Sequence, residues 1–182
     1  MSASDSHHHD SDVGSGITGE WQGHYAQYGD RRPIKASLTQ EGDRVFGTMV
    51  DSDTESEQSL FAAAAEAGLP PGADEKMDEQ IRRLLPDAGN QPIRGKAILP
   101  THSLLEGTVS GRFVRFKKVY QGQHFVGFEV GEQRVGRTIE GHCVHYSGRV
   151  SSDRMEITGN WTILEPETGR ANAQASFVLR RA

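Results

Sequence analysis

Residues 104–120, Leu-Leu-Glu-Gly-Thr-Val-Ser-Gly-Arg-Phe-Val-Arg-Phe-Lys-Lys-Val-Tyr, read as two β-strands joined by a tight turn at Ser110-Gly111. After the turn Arg112, Val114, Phe116, Lys118 and Tyr120 share one face, and Phe113, Arg115, Lys117 and Val119 share the other. Short strand, glycine turn, short strand is the unit that the rest of the chain repeats.

Upstream, Ile17, Gly19, Trp21, Gly23 and Tyr25 alternate with Thr18, Glu20, Gln22 and His24. A period of two with one apolar face is a half-buried strand. Gly29-Asp30 and Pro33 break it. Ile34, Ala36 and Leu38 mark a second strand, Glu41-Gly42-Asp43 a turn, and residues 44–51 a third strand. Alternation then stops over 52–90. Residues 59–67 favour a helix that Gly68 ends, and residues 74–85 a second one. Met77, Ile81, Leu84 and Leu85 fall on one face of that second helix. Acidic residues crowd its start and Arg82-Arg83 its end, as the helix dipole favours.

Strand pattern resumes at 92–99, passes through the hairpin and continues at 124–130, 141–150, 155–164 and 173–181. Residues 131–140 read as a polar connection in which Val135 and Ile139 pair weakly. Many short strands linked by tight turns predict an all-β fold, an antiparallel up-and-down barrel of about 8–10 strands. The expected organisation is an unordered tail at 1–15 and one barrel domain at 16–182. A helical insertion, 52–90, separates the third and fourth strands.

The chain has 182 residues and a net charge of −5, which argues against a general nucleic-acid binder. No run of about 18 apolar residues is present, so no membrane span is expected. The polar N-terminus lacks the pattern of a secretory signal. Cys143 is the only cysteine, so no internal disulfide can form. Together these point to a soluble cytoplasmic protein.

Gly16-Ile-Thr-Gly-Glu-Trp21 resembles the first-strand signature of the avidin and streptavidin family, and its Gly19-x-Trp21 core is similar to that of the lipocalins. Gly47-Thr48, Val114-x-Phe116-Lys117-x-x-Tyr120, Tyr146-Ser147-Gly148 and Ile157-x-x-x-Trp161 resemble further family motifs in the family's order. The resemblance implies an antiparallel barrel, usually of eight strands, with a ligand in its open mouth. It implies apolar walls or flanks at Trp21, Tyr146, Trp161 and Ile163. The family's polar biotin contacts would fall at Gly23, Gln27, Met49, Asp51, His142 and Val144, which are the wrong residues for them. The resemblance therefore implies the barrel and not biotin. It also puts the 52–90 insertion where the family carries a loop that closes over its ligand. That makes the helices a candidate lid, with packing on the outer barrel wall as the alternative.

Candidate chemistry is sparse. In His142-Cys143-Val144-His145 a strand would point His142 away from the other two side chains, so the three cannot share one metal ion. Asp51-x-Asp53-x-Glu55-x-Glu57 lacks the glycine and the last glutamate of a calcium loop and reads as a solvated acidic lead-in to the insertion. No nucleophile elbow, phosphate loop or paired-cysteine motif occurs, so an enzyme is the least favoured class. An inward Lys118 needs a partner, an anionic ligand, or a rim position from which it reaches water. The first expectation is a non-enzymatic barrel that binds a small apolar or amphipathic ligand. It would use an interior of Trp21, Tyr25, Phe116, Lys118, Tyr120, Tyr146 and Trp161, without cofactor or metal. The alternative is a structural or protein-interaction barrel whose own aromatics fill the core. Oligomer formation stays open in both.

Overall fold

A computed structural model describes residues 16–27, 30–62, 70–164 and 168–182. The expected tail at 1–15 and most of the expected helix at 59–67 lie outside the described residues. The elements are β1 (Gly19–Gln27), β2 (Asp30–Glu41), β3 (Arg44–Asp51), β4 (Glu55–Ser59), α1 (Ala73–Leu84), a 3-10 turn (Pro86–Ala88), β5 (Ile93–Ile98) and β6 (His102–Ser110). They continue with β7 (Phe113–Tyr120), β8 (Gln123–Val130), β9 (Gln133–Glu140), β10 (Cys143–Val150), β11 (Glu156–Leu164) and β12 (Ala171–Arg181).

Eight of the strands close an antiparallel barrel in the order β1-β12-β11-β10-β7-β6-β3-β2. The hairpin at 104–120 is β6 and β7. Its turn is set by Gly111, which takes φ 59° at the first central position, where a type II′ turn places glycine. β7 then turns Val114, Phe116, Lys118 and Tyr120 inward, all buried. The same period holds on β3 with Val45, Met49 and Asp51, and on β10 with Val144, Tyr146 and Val150. Gly148 and Gly159 face each other across β10 and β11, and a Cβ on Gly159 would lie 2.1 Å from the Ser147 carbonyl oxygen. Only glycine lets the two backbones bend together there. Pro33, expected to break the chain, instead sits inside β2. At that point β2 pairs with β1 alone, because its pairing with β3 begins at Ile34, so the missing N–H costs no ladder bond on that side.

One end of the barrel is packed solid. Trp21 donates its indole N–H to the Ile17 carbonyl at 2.9 Å. The Arg181 guanidinium lies over the Trp21 ring at 4.9 Å and bonds the carbonyls of Thr18 and Gly16. Above this plug Phe116 stacks on Tyr146 at 4.9 Å, and Phe177 meets both edge-on.

The other end carries both long connections. β3 and β7 each run antiparallel to β6, so they point the same way and finish at the same rim. The chain leaves β3 to make β4, α1 and β5, and leaves β7 to make the β8–β9 hairpin. These four strands join as a second sheet in the order β4-β5-β8-β9. Thus the stretch expected to be a helical insertion, 52–90, contains a strand, β4, before its helix, and the strand expected at 92–99 is β5, which joins the second sheet and not the barrel. The stretch 131–140, expected as a polar connection, is mostly the full strand β9. α1 starts one residue before the expected 74 and ends one before 85. Its Met77 and Ile81 pack with Ile93, Phe128, Val130 and Val135 of the second sheet, not on the outer barrel wall. No helix among the described residues is long and apolar enough to cross a membrane.

Trp21→Ala is expected to lower stability by about 3–5 kcal/mol in urea unfolding, as truncating a buried aromatic does. The outward Leu104→Ala is expected to stay within about 0.5 kcal/mol.

Candidate functional site

Between the packed end of the barrel and the second sheet lies a cavity of about 880 Å³. The barrel supplies its floor through Tyr25, Tyr120, Val144, Tyr146, Trp161 and Ile163. The second sheet supplies Ala97, Val126, Phe128, Val135 and Ile139 as walls, and α1 supplies Met77, Ile81 and Leu84. Its basic and imidazole residues are Lys96, Arg137, His124 and His142, and Gln27, Ser56, Gln58, Gln80 and Asn172 add neutral polar groups.

Directly beneath the floor, Lys118 is fully buried and so is Asp51. The Lys118 Nζ donates to Asp51 Oδ1 at 2.7 Å, to Oδ2 at 2.6 Å and to the Tyr120 hydroxyl at 2.9 Å. The ammonium also lies 4.3 Å from the Tyr120 ring centre. Burial works against both charges, raising the Asp51 pKa and lowering that of Lys118, while each charge holds the other in its ionised form. Tyr25 and Tyr120 are pushed up, first by burial and then by the Asp51 charge, so both stay protonated. The Tyr25 hydroxyl is buried beside this group with no hydrogen-bond partner of good geometry.

Two histidines complete the floor. The rings of His124 and His142 lie 4.9 Å apart and tilted by 56°, and His142 stacks on Tyr120 at 5.7 Å. His124 Nδ1 is buried without a partner. Burial, then the His142 ring and the Arg137 charge, lower the His124 pKa to about 4. Burial and the Lys118 charge lower that of His142. Both rings are neutral near pH 7.

Of the residues expected at a site, Tyr25, Tyr120, Tyr146 and Trp161 line the cavity. Trp21 and Phe116 do not. Trp21 plugs the far end, and Phe116 is locked between Tyr146 and Phe177. Lys118 meets neither water nor open space, because Asp51 takes it. Asp51 corrects a second expectation at one position: it is buried, whereas Asp53, Glu55 and Glu57 are exposed, as a solvated lead-in would be. Each member of the acidic run has a cation: Asp51 has Lys118, Asp53 has Arg32, and Glu55 and Glu57 share Lys96. Asp51 continues the inward period of Val45 and Met49, a signal that the strand pattern carried. His124 and His142 had no comparable signal, because only the joining of the two connections brings them together. Cys143 Sγ lies 3.7 Å from His145 Nε2, and no group of three or more potential metal ligands converges among the described residues.

Lys118→Met alone is expected to cost about 3–5 kcal/mol, because it strands a buried carboxylate. The double change Asp51→Leu with Lys118→Met is expected to recover most of that loss in the same unfolding assay. His124 gives a pH signature. Its pKa is lower in the fold, at about 4, than in the unfolded chain, where about 6.5 applies, so the unfolded state binds the proton first. Stability is therefore full above about pH 6.5 and falls as pH drops toward 4, by about 2–3 kcal/mol. Urea midpoints measured across that window check it, and His124→Asn should flatten the slope.

Comparison of the chain with protein-family models, with curated proteins and with solved structures returned no match. The architecture, an antiparallel eight-stranded closed barrel, is compatible with calycin-like folds.

Proposed function

We propose that the protein is a non-enzymatic carrier or sensor that binds a small apolar or amphipathic molecule, other than biotin, in the cavity between barrel and second sheet. The cavity itself carries this reading. At about 880 Å³ it lies within the range of small-molecule sites, and its lining is mostly aliphatic and aromatic with a few convergent polar groups. Two buried polar atoms on lining residues are poorly satisfied: His124 Nδ1 has no partner, and Tyr25 Oη has none of good geometry, although it lies beside Asp51 and Tyr120. Leaving a buried nitrogen such as His124 Nδ1 unbonded costs about 1–3 kcal/mol, which a polar ligand group at the floor would offset. In this reading α1 is the cavity's cover, since Met77, Ile81 and Leu84 line it.

The likeness to avidin-like barrels, resting on the strand motifs and the eight-stranded closure, fits a binding role at the open end. Gly23, where the family's asparagine would stand, also speaks against biotin. A Cβ there would lie 1.9 Å from the Val178 carbonyl oxygen, so a side chain has no room. The competing reading, a barrel filled by its own aromatics for structural or docking use, fits only the lower half, around Trp21, Phe116 and Phe177.

The test is titration with a neutral fluorescent probe, N-phenylnaphthylamine, followed by Trp emission and probe enhancement. Micromolar saturable binding is expected, weakened about tenfold or more by Ala97→Trp, which fills the cavity from β5. Weak binding that Ala97→Trp leaves unchanged would refute the reading.

A further inference from the structure

We propose that the ligand enters as an anion, its acidic head group held between His124, His142 and Arg137 and its apolar body lying along α1 and Phe128. This rests on the cavity-binding reading above. The observation behind it is the sign of the charge inside. Among the described residues no Asp or Glu lines the cavity, whereas Lys96, Arg137, His124 and His142 do. Lys96 is already neutralised by Glu55 at 2.9 Å and Glu57 at 2.7 Å. Arg137 has no hydrogen bond or ion pair among the described residues, and it stands on β9 opposite Val126, a lining residue of β8. His124 is 8% exposed and offers Nδ1 without a partner.

The charged and titratable groups around the imidazole pair leave it short of an anion. From β7 come Lys118 and Tyr120, from β3 Asp51, from β1 Tyr25 and from β9 Arg137. The Asp51 carboxylate is consumed by Lys118. Glu140 follows the lining residue Ile139 on β9, so it points to the opposite face, and it accepts a bond from Gln123. A neutral imidazole of the pair, beside an unpaired guanidinium, can therefore take up a proton once a negative head group arrives. Lys118, the cation that the sequence singles out, is not the ligand's partner.

The proposal predicts proton uptake on binding, so affinity for a permanent anion rises as pH falls. Isothermal titration of the full chain with decanesulfonate and with decanol, both below their aggregation limits, separates charge from chain. At pH 7 the sulfonate is expected to bind about tenfold tighter or more, as one charge-assisted hydrogen bond allows. Its affinity is expected to rise as pH falls from neutrality toward the His124 pKa of about 4. Arg137→Gln, an exposed position that should not disturb folding, is expected to bring the sulfonate down to the alcohol's affinity. His124→Asn is expected to flatten the pH dependence. Equal affinity for the two probes, or a sulfonate affinity that ignores pH, overturns the anionic head group and leaves the cavity reading standing. Failure of both probes to bind overturns the cavity reading and this inference with it.

Discussion

Lys118 and Asp51 form an ion pair with no exposed side-chain surface, and the shape of the interior turns on it. The two sit on β7 and β3, which β6 separates, so the contact reaches across a strand. Each ion loses several kcal/mol of hydration on burial, and only close, multiple bonding offsets that. The bonds at 2.6, 2.7 and 2.9 Å to Asp51 and Tyr120 supply it. The pair divides the barrel. Below it Trp21, Phe116, Phe177 and Leu179 are buried in the core. Above it the aromatic floor faces an opening. The pair ties the floor strands together while leaving no net charge on them, so charge in the cavity comes from other residues.

The opening persists because the chain spends its two long connections there. A single barrel of eight strands can fill its interior with side chains. Here β4, β5, β8 and β9 instead build a second sheet that extends the interior past the rim. Arg32 fastens the two layers at one point by bonding Asp53 and the Glu55 carbonyl. His142 and His124 meet at another, where β10 begins and β8 runs into the second sheet. The cavity thus draws its floor from one layer and its walls from the other. Such a junction suits a site, because polar groups from separate elements can converge on it while each element keeps its own core.

Much of this was legible in the strand pattern. Two-residue alternation put Trp21, Val114, Phe116 and Tyr120 on inward faces, the family resemblance added Tyr146 and Trp161, and the helix at 74–85 followed from its apolar face. The closed barrel of antiparallel strands follows from the same alternation. Pairing across distant connections was not legible. Nothing in the alternation of β8 and β9 says that they join β4 and β5 and not the barrel, since a strand's pattern records which face is buried and not against which partner. The acidic run misled at one position for the same reason. Asp51 looks solvated, like its exposed neighbours Asp53, Glu55 and Glu57, until Lys118 arrives from elsewhere in the chain. The histidine pair is wholly a product of that long-range assembly.

The central claim is that the space between the layers is built to hold a molecule. Native mass spectrometry of the full chain, purified from its own host without detergent, tests it most directly. A bound species of a few hundred daltons is expected, which leaves on denaturation and which Ala97→Trp excludes. A spectrum of bare chain alone, from protein that also fails to take up an added apolar probe, would contradict it.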